Sequence, residues 1–304
     1  LDDIRNTGSI GGYTPEERAA LPSTNWQDRL FRTGTLASHT LNVSGGTEKN
    51  RYNYTGTFLQ NKGVVVNSGF DRFAFNAKLK NILTDRLTLS TVLTPSFSKK
   101  YGPAGGGGRL QNNWGLFLRV LGTPPYAGAD YVDPDEDELI DDEGNQFFGD
   151  PLYQAENVEN ENINYNFRGN MKFEYQLTDD LKATVLVGAG TGSNFVKTYN
   201  PPQFGNGGRT QNKGQVIRSS VRNLDYLNNN LLNYKKKLGK HKIDGLLGYT
   251  QQYKVMDRLQ IQMRGYDEDH TGGANNIQAG TAFQNTRGRF NEQKRIGILS
   301  RLNY

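Results

Sequence analysis

Carboxylates crowd one stretch of this chain, from Asp133-Pro-Asp135-Glu-Asp137-Glu138 to Asp141, Asp142 and Glu143. Hard cations such as calcium want several carboxylate oxygens held on a turn, and this run supplies them. An EF-hand loop counted from Asp133 would need Gly at its sixth position and Glu at its twelfth. Those positions hold Glu138 and Gly144, so the motif fails. An irregular calcium site on Asp133, Asp135 and Asp137 stays open beside the simpler reading, a solvated acidic loop.

Other chemistry-bearing patterns fail in similar ways. Gly105 to Gly108 would need a following Gly-Lys-Ser/Thr to cradle phosphate, and Arg109-Leu110 follows instead. Gly188, Gly190 and Gly192 follow a strand pattern, but Ser193 stands where the dinucleotide fingerprint wants its third Gly. His39, His241 and His270 are scattered without metal-ligand spacing, and the chain has no Cys for a thiolate or a disulfide. There is no Gly-x-Ser-x-Gly elbow and no sequence feature that pairs two carboxylates. The expectation is a protein that is not an enzyme and carries no cofactor.

The net charge of +5 raises nucleic acid as a partner. Most basic residues alternate with apolar ones instead of forming a stripe, so no nucleic acid is expected. The one cluster, Lys235 to Lys237 with Lys240 and Lys242, falls at a strand-to-strand turn, where a solvated turn explains it. A second group of residues suits ligand contact. Trp114, Tyr126, Tyr131, Phe147, Phe148, Tyr153, Tyr199 and Phe204 fall in long connections, where they could stack on a sugar ring or peptide or pack the loops together. Trp114, Tyr126, Tyr131, Tyr199 and Phe204 are the substrate-binding candidates.

The elements that must position these residues are strands. From Ile163 to Leu177 every odd position is apolar or Gly, and every even one between is polar. Neighbouring side chains of a strand point to opposite faces, so one face is greasy and the other wet. The alternation runs longer than the ~5–6 residues of an ordinary strand and the ~9–11 that a tilted strand needs to cross a bilayer. Tyr165 and Tyr175 near its ends resemble the aromatic girdles of outer-membrane barrels.

Similar alternation marks Ala37–Ser44, Arg51–Phe58, Arg72–Lys80, Leu87–Phe97, Leu181–Val187, Leu224–Tyr234, Ile243–Tyr249 and Ile296–Tyr304, giving about nine strands. Tyr52, Phe73, Tyr165, Phe173, Tyr175 and Tyr234 on the apolar parity are expected to meet lipid. Arg72, Asn76, Lys78, Arg168, Asn170 and Lys172 would line a lumen. Turns after Ser44, Leu83, Leu177 and Tyr234 are short; connections after Phe58, Lys99, Gly192 and Thr250 are longer, the last three running for tens of residues. Such sorting by end is the habit of outer-membrane barrels, with tight periplasmic turns and long outside loops.

The expected fold is all-β: an antiparallel transmembrane β-barrel, here an incomplete fragment with long extracellular loops. Residues 1–304 read as part of one barrel domain, with 1–36 as a lead-in segment and 100–161 as a long extracellular loop. In that loop Trp114, Phe117, Leu118 and Leu121 fall at helical spacing until Pro124-Pro125 stop the helix. A mean hydropathy of −0.73 does not oppose a barrel, because half of each strand faces a polar lumen. No signal peptide opens the chain, and both ends read as cut, which suggests an internal fragment.

Several motifs in order carry a family resemblance. Asn25-Trp-Gln-Asp-Arg-Leu-Phe-Arg32, Leu41-Asn-Val-Ser-Gly-Gly-Thr-Glu-Lys-Asn-Arg-Tyr52 and the Gln60-Asn-Lys-Gly-Val64 loop resemble the barrel of SusC/RagA-type TonB-dependent transporters. Gly69-Phe-Asp-Arg-Phe-Ala-Phe75 is similar to that family's following strand. So are Leu232-Asn-Tyr-Lys-Lys-Lys-Leu-Gly-Lys-His-Lys-Ile243 and Leu246-Leu-Gly-Tyr-Thr-Gln-Gln252 to its Gly-Lys-His turn and the next strand. The resemblance reaches from about Trp26 onward and leaves the long loops unmatched.

What the resemblance implies is a barrel of about 22 strands in the outer membrane of a Gram-negative bacterium, gated by an N-terminal plug. Energy would come from the TonB complex through an N-terminal region not seen in this sequence. The partners implied are outer-membrane lipid, a SusD-like lipoprotein lid, and an oligosaccharide or peptide substrate. Two other classes stay open: an uncoupled porin or siderophore receptor, and a soluble or surface β-protein acting in adhesion. About nine strands cannot close so large a barrel, so the chain alone is expected to form a curved open sheet or misfolded material.

Overall fold

The computed structural model describes residues 23–103, 116–122, 151–200, 214–266 and 272–304, with 20 and 125 besides. The alternating segments become antiparallel strands: β1 (Thr35–Gly46), β2 (Asn50–Lys62), β3 (Gly69–Thr84), β4 (Leu87–Leu93) and β5 (Ser96–Tyr101). Then follow β6 (Glu159–Thr178), β7 (Leu181–Asn200), β8 (Gly214–Leu238), β9 (His241–Tyr266) and β10 (Ala282–Asn303). They form one sheet in the order β1-β2-β3-β4-β6-β7-β8-β9-β10, with β5 pairing β3 and β6 in line with β4. Among the described residues β1 and β10 do not pair, so the sheet is open, as the strand count required.

Ten strands rather than nine result from one interruption. Pro95 has no N–H to give to a ladder, and the β4–β5 arm breaks there. The neighbours bridge the gap: Phe75 N–H donates to Pro95 O at 3.0 Å, and Thr94 N–H to Arg168 O at 2.7 Å.

Sheet register puts every apolar parity on one side. The row Phe58↔Phe73↔Phe97↔Tyr165 crosses four arms. Lower down, Met171 faces Val187 and Phe173 faces Val185. Side chains on this outward face are solvent-open over a long continuous surface, among them Tyr52, Phe73, Tyr165, Phe167, Met171 and Tyr175. A water-soluble monomer rarely exposes an apolar patch beyond a few hundred Å². Lipid is the medium that removes the cost.

The short-turn end joins β1 to β2, β3 to β4, β6 to β7 and β8 to β9. In the last of these, Gly239 holds φ +62°, the left-handed conformation a two-residue turn needs. At the other end the structure shortens two expected loops. β7 continues to Asn200 and β9 to Tyr266, leaving only 201–213 and 267–281 as connections. At ~3.3 Å per residue, the 26-residue β9 is far longer than a tilted bilayer crossing. These strands rise above the lipid, where neither face needs to be greasy. The alternation that marks a strand therefore fades before the strand does.

Three short helices complete the chain: α1 (Trp26–Leu30), α2 (Leu116–Gly122) and α3 (Pro151–Asn157). No described helix is long and apolar enough to cross a membrane.

Candidate functional site

The inward face of the sheet is a continuous polar wall. Arg72, Asn76, Lys78, Arg168, Asn170 and Lys172 all share it, since Lys78 pairs Val92 and Val92 pairs Asn170. Amides and hydroxyls form ladders across the strands here. Asn42 Nδ2 donates to Thr55 Oγ1 at 2.9 Å, and Asn194 Nδ2 reaches both Asn162 Oδ1 and Asn164 Oδ1 at 2.6 Å. Lys172 and Lys182 both meet Glu174, at 2.9 and 3.3 Å.

Gly190 has a specific part in this wall. It lies between Arg168 and Asp225 in the register of β6, β7 and β8. Arg168 Nη2 reaches across it to Asp225 Oδ1 at 4.0 Å, and a Cβ on Gly190 would stand 2.8 Å from that carboxylate. Gly190 and Gly192, whose added Cβ would stand 2.8 Å from Asp225 and from Asn166 Oδ1, thus serve close approach on the inward wall, whereas Gly188 has ordinary room.

At the long-loop end two small apolar clusters shape an outer rim. In the first, Trp26 and Leu30 of α1, Leu116 and Val120 of α2, and Leu152 and Ala155 of α3 bury one another, with Val65 and Val66 packed against them. Asn25 caps α1 by accepting from Gln27 N–H and Asp28 N–H. Val66 N–H donates to Leu30 O at 3.0 Å, and Asn67 Nδ2 to Ala155 O at 3.3 Å. Helix α1, the β2–β3 connection and helices α2 and α3 are thereby one unit.

Helix α2 lies where the 114–121 stripe predicted, but its phase is shifted. Leu116 and Val120 are the buried pair, whereas Phe117 is 47% and Leu121 65% exposed. Phe117 stacks on Phe31 with ring centroids 5.9 Å apart. Helix α3 and helix α1 were not anticipated. Pro151 at a first helical position and Asn25 at an N-cap are the signals that could have marked them.

The second cluster joins Tyr199, Val216, Tyr266 and Ala274, with Met263 and Ile277 beside it. Two 3-10 turns, Gly273–Asn275 and Ile277–Ala279, fold back over the outward side of the strand tops. Ala274 N–H donates to Glu159 Oε2 at 3.1 Å, Lys197 Nζ to Asn275 Oδ1 at 2.9 Å, and Tyr266 OH to Ile277 O at 2.7 Å. Burial raises the Tyr266 hydroxyl above its ordinary range; Tyr199 beside it adds to the rise, and a backbone hydrogen bond at Gly280 partly offsets it.

Of the substrate candidates, Tyr199 is in β7 and 8% exposed, its ring edge-on to Tyr266 at 6.2 Å. It supports the rim from within the second cluster. Trp114, Tyr126, Tyr131 and Phe204 lie outside the described residues, as do Asp133, Asp135 and Asp137. Among the described residues no three carboxylates or imidazoles gather as a metal site.

An open antiparallel sheet with one aromatic-banded apolar face and one polar face is a segment of a membrane barrel. No protein-family model matches the chain. It is 23% identical to TonB-dependent receptor P3 of Formosa agariphila, over 93% of this chain and 28% of that protein. It is 24% identical to TonB-dependent receptor SusC of Bacteroides thetaiotaomicron, over 76% of this chain and 24% of that one. In structure, the RagAB peptide importer in its open-open state matches with TM-score 0.73 and 15% identity, over all of this chain and 33% of that one. The chain thus spans about a quarter of the length of these curated relatives. The chain is similar in sequence to TonB-dependent receptors, SusC among them, its fold matches part of the RagAB barrel, and its place is the outer membrane of a Gram-negative bacterium.

Proposed function

We propose that this chain builds part of the wall and outer rim of an outer-membrane importer that takes up oligosaccharide or peptide. The observation that carries the reading is the sorting of residues by face. A transporter barrel needs an outer surface that lipid accepts and an inner surface that polar cargo and a plug can slide past. The relatives' names, TonB-dependent receptor and SusC, supply the link to energised uptake.

In this reading residues 1–304 are a portion of one barrel domain, and an N-terminal plug of the full-length protein couples to the TonB complex. A SusD-like lipoprotein rests on the rim formed by the helical unit and the outer loops. Trp114, Tyr126, Tyr131 and Phe204 offer ring faces to the captured substrate, and Tyr199 braces the strands beneath them. The acidic run at Asp133, Asp135 and Asp137 serves as a solvated surface or an irregular calcium site.

The test is uptake by the full-length protein in its own cells. Deleting the gene abolishes uptake of one polymer digest, and disrupting TonB abolishes uptake while surface binding persists. Uptake that continues without TonB supports an uncoupled porin. Full solubility of the intact protein without detergent supports an adhesive β-protein.

A further inference from the structure

The upper inward wall carries a charge excess that the transporter reading does not use. Toward the long-loop ends of β9 and β10, the inward parities bear Lys254, Arg258, Arg264, Arg287 and Arg289, with Arg295 further down β10. Asp225, which pairs Lys254, is the one carboxylate on the inward face of β8, β9 and β10 at this height among the described residues. Arg258 and Arg289 are direct register partners, and Arg287 pairs the neighbouring Gln260. Like charges facing one another across a ladder destabilise it.

Nothing in the described structure offsets that repulsion. Arg258, Arg287, Arg289 and Arg295 are exposed, and no described carboxylate forms an ion pair with them. The outward face also bears a like-charge register pair, Lys197 opposite Arg218, but there carboxylates face the cations: Glu161 pairs Lys197, Asp257 pairs Arg222, and Glu292 lies 2.7 Å from Lys294. The cations that no described carboxylate faces therefore gather on the inward side of β9 and β10.

From this geometry we infer an anion-binding subsite toward the long-loop end of the inward wall, formed by Arg258, Arg287 and Arg289, for the carboxylate or sulfate groups of an acidic oligosaccharide. Guanidinium forks bind such planar or tetrahedral oxyanions bidentately, which Lys cannot do. Gln260, Asn291 and Gln293 share the patch and supply both donors and acceptors. Amides of that kind suit the hydroxyls between the charges of a sugar chain. The inference rests on the import reading above and adds the substrate's charge class to it.

The experiment uses the full-length transporter in detergent or cells, probed with a panel of neutral glycans, uronate and sulfated glycans, and poly-glutamate peptides. Binding is expected for acidic glycans, to fall with added salt, and to weaken about tenfold or more in R258Q/R289Q. Arg218→Gln, on the outward parity, leaves it unchanged. Binding of neutral glycans alone, preference for the acidic peptide, no binding of any acidic glycan, or acidic-glycan binding unaltered in R258Q/R289Q each overturns the inference. TonB-dependent uptake of a neutral glycan sinks the anionic subsite and keeps the importer. Acidic-glycan binding without uptake does the reverse.

Discussion

Phe97 on β5 and Tyr165 on β6 are register partners whose ring centroids lie 5.1 Å apart, tilted at 48°. Phe73 pairs Phe97 on one side, and Phe195 lies edge-on to Tyr165 at 6.3 Å on the other. These rings hold one level across the outward face. An aromatic pair of this kind contributes about 0.5–1.5 kcal/mol beyond area burial. A double-mutant cycle of F97A and Y165A, read by urea unfolding of the full-length protein in vesicles, should return a coupling in that range. A coupling of zero would mean that the rings act separately.

Met171 lies in the middle of the same face, between Gly169 and Phe173 on the outward parity of β6. Met171→Arg should lower folding stability by roughly 2–4 kcal/mol, the cost of a guanidinium at the bilayer midplane. Asn170→Arg, one residue away on the inward side, should cost under about 1 kcal/mol. Folded and unfolded fractions separated on a cold gel compare the two directly.

Trp26 is 3% exposed and joins α1 to α2 and α3. Trp26→Ala should remove about 3–5 kcal/mol from that unit. The barrel strands do not depend on it, so the loss should be local. Hydrogen exchange would show 151–157 losing protection while β6 to β9 keep theirs.

Tyr266 gives a pH signature outside the membrane. Its neutral form is favoured when folded, because burial raises the hydroxyl above the ordinary 10.0. The unfolded state therefore loses its proton first as pH climbs. Stability of the 272–281 cap is full below the unfolded value and falls as pH rises from there toward the folded one. Limited proteolysis should open this segment at pH 11 and not at pH 8. In Y266F the alkaline step disappears, at a cost of about 1 kcal/mol for the lost bond to Ile277 O.

Strand identity, face and hairpin connectivity were legible wherever lipid enforces them. Ile163 to Leu177 alternates because one side meets hydrocarbon and the other meets water, and that contrast is written in every residue. Above the membrane it vanishes: Ser193 to Asn200 extends β7 with no alternation to announce it. Pro95 broke one arm in two, a local backbone event that periodicity alone does not register. The phase of α2 was missed because Trp114 and Phe117 drew the stripe, while the buried pair is the smaller Leu116 and Val120. The basic vestibule needed register. Arg258 and Arg289 are thirty-one positions apart in sequence and face each other only in the paired sheet.

The most direct test of the two-faced wall is a spin-label scan of β6 in the full-length protein, reconstituted in bilayers. This segment contains no Cys, so single labels from 164 to 176 are unambiguous within it. The account predicts a period of two: odd positions accessible to membrane-dissolved oxygen, even positions to a water-soluble nickel chelate. A uniform profile, or oxygen accessibility at the even positions, would contradict it.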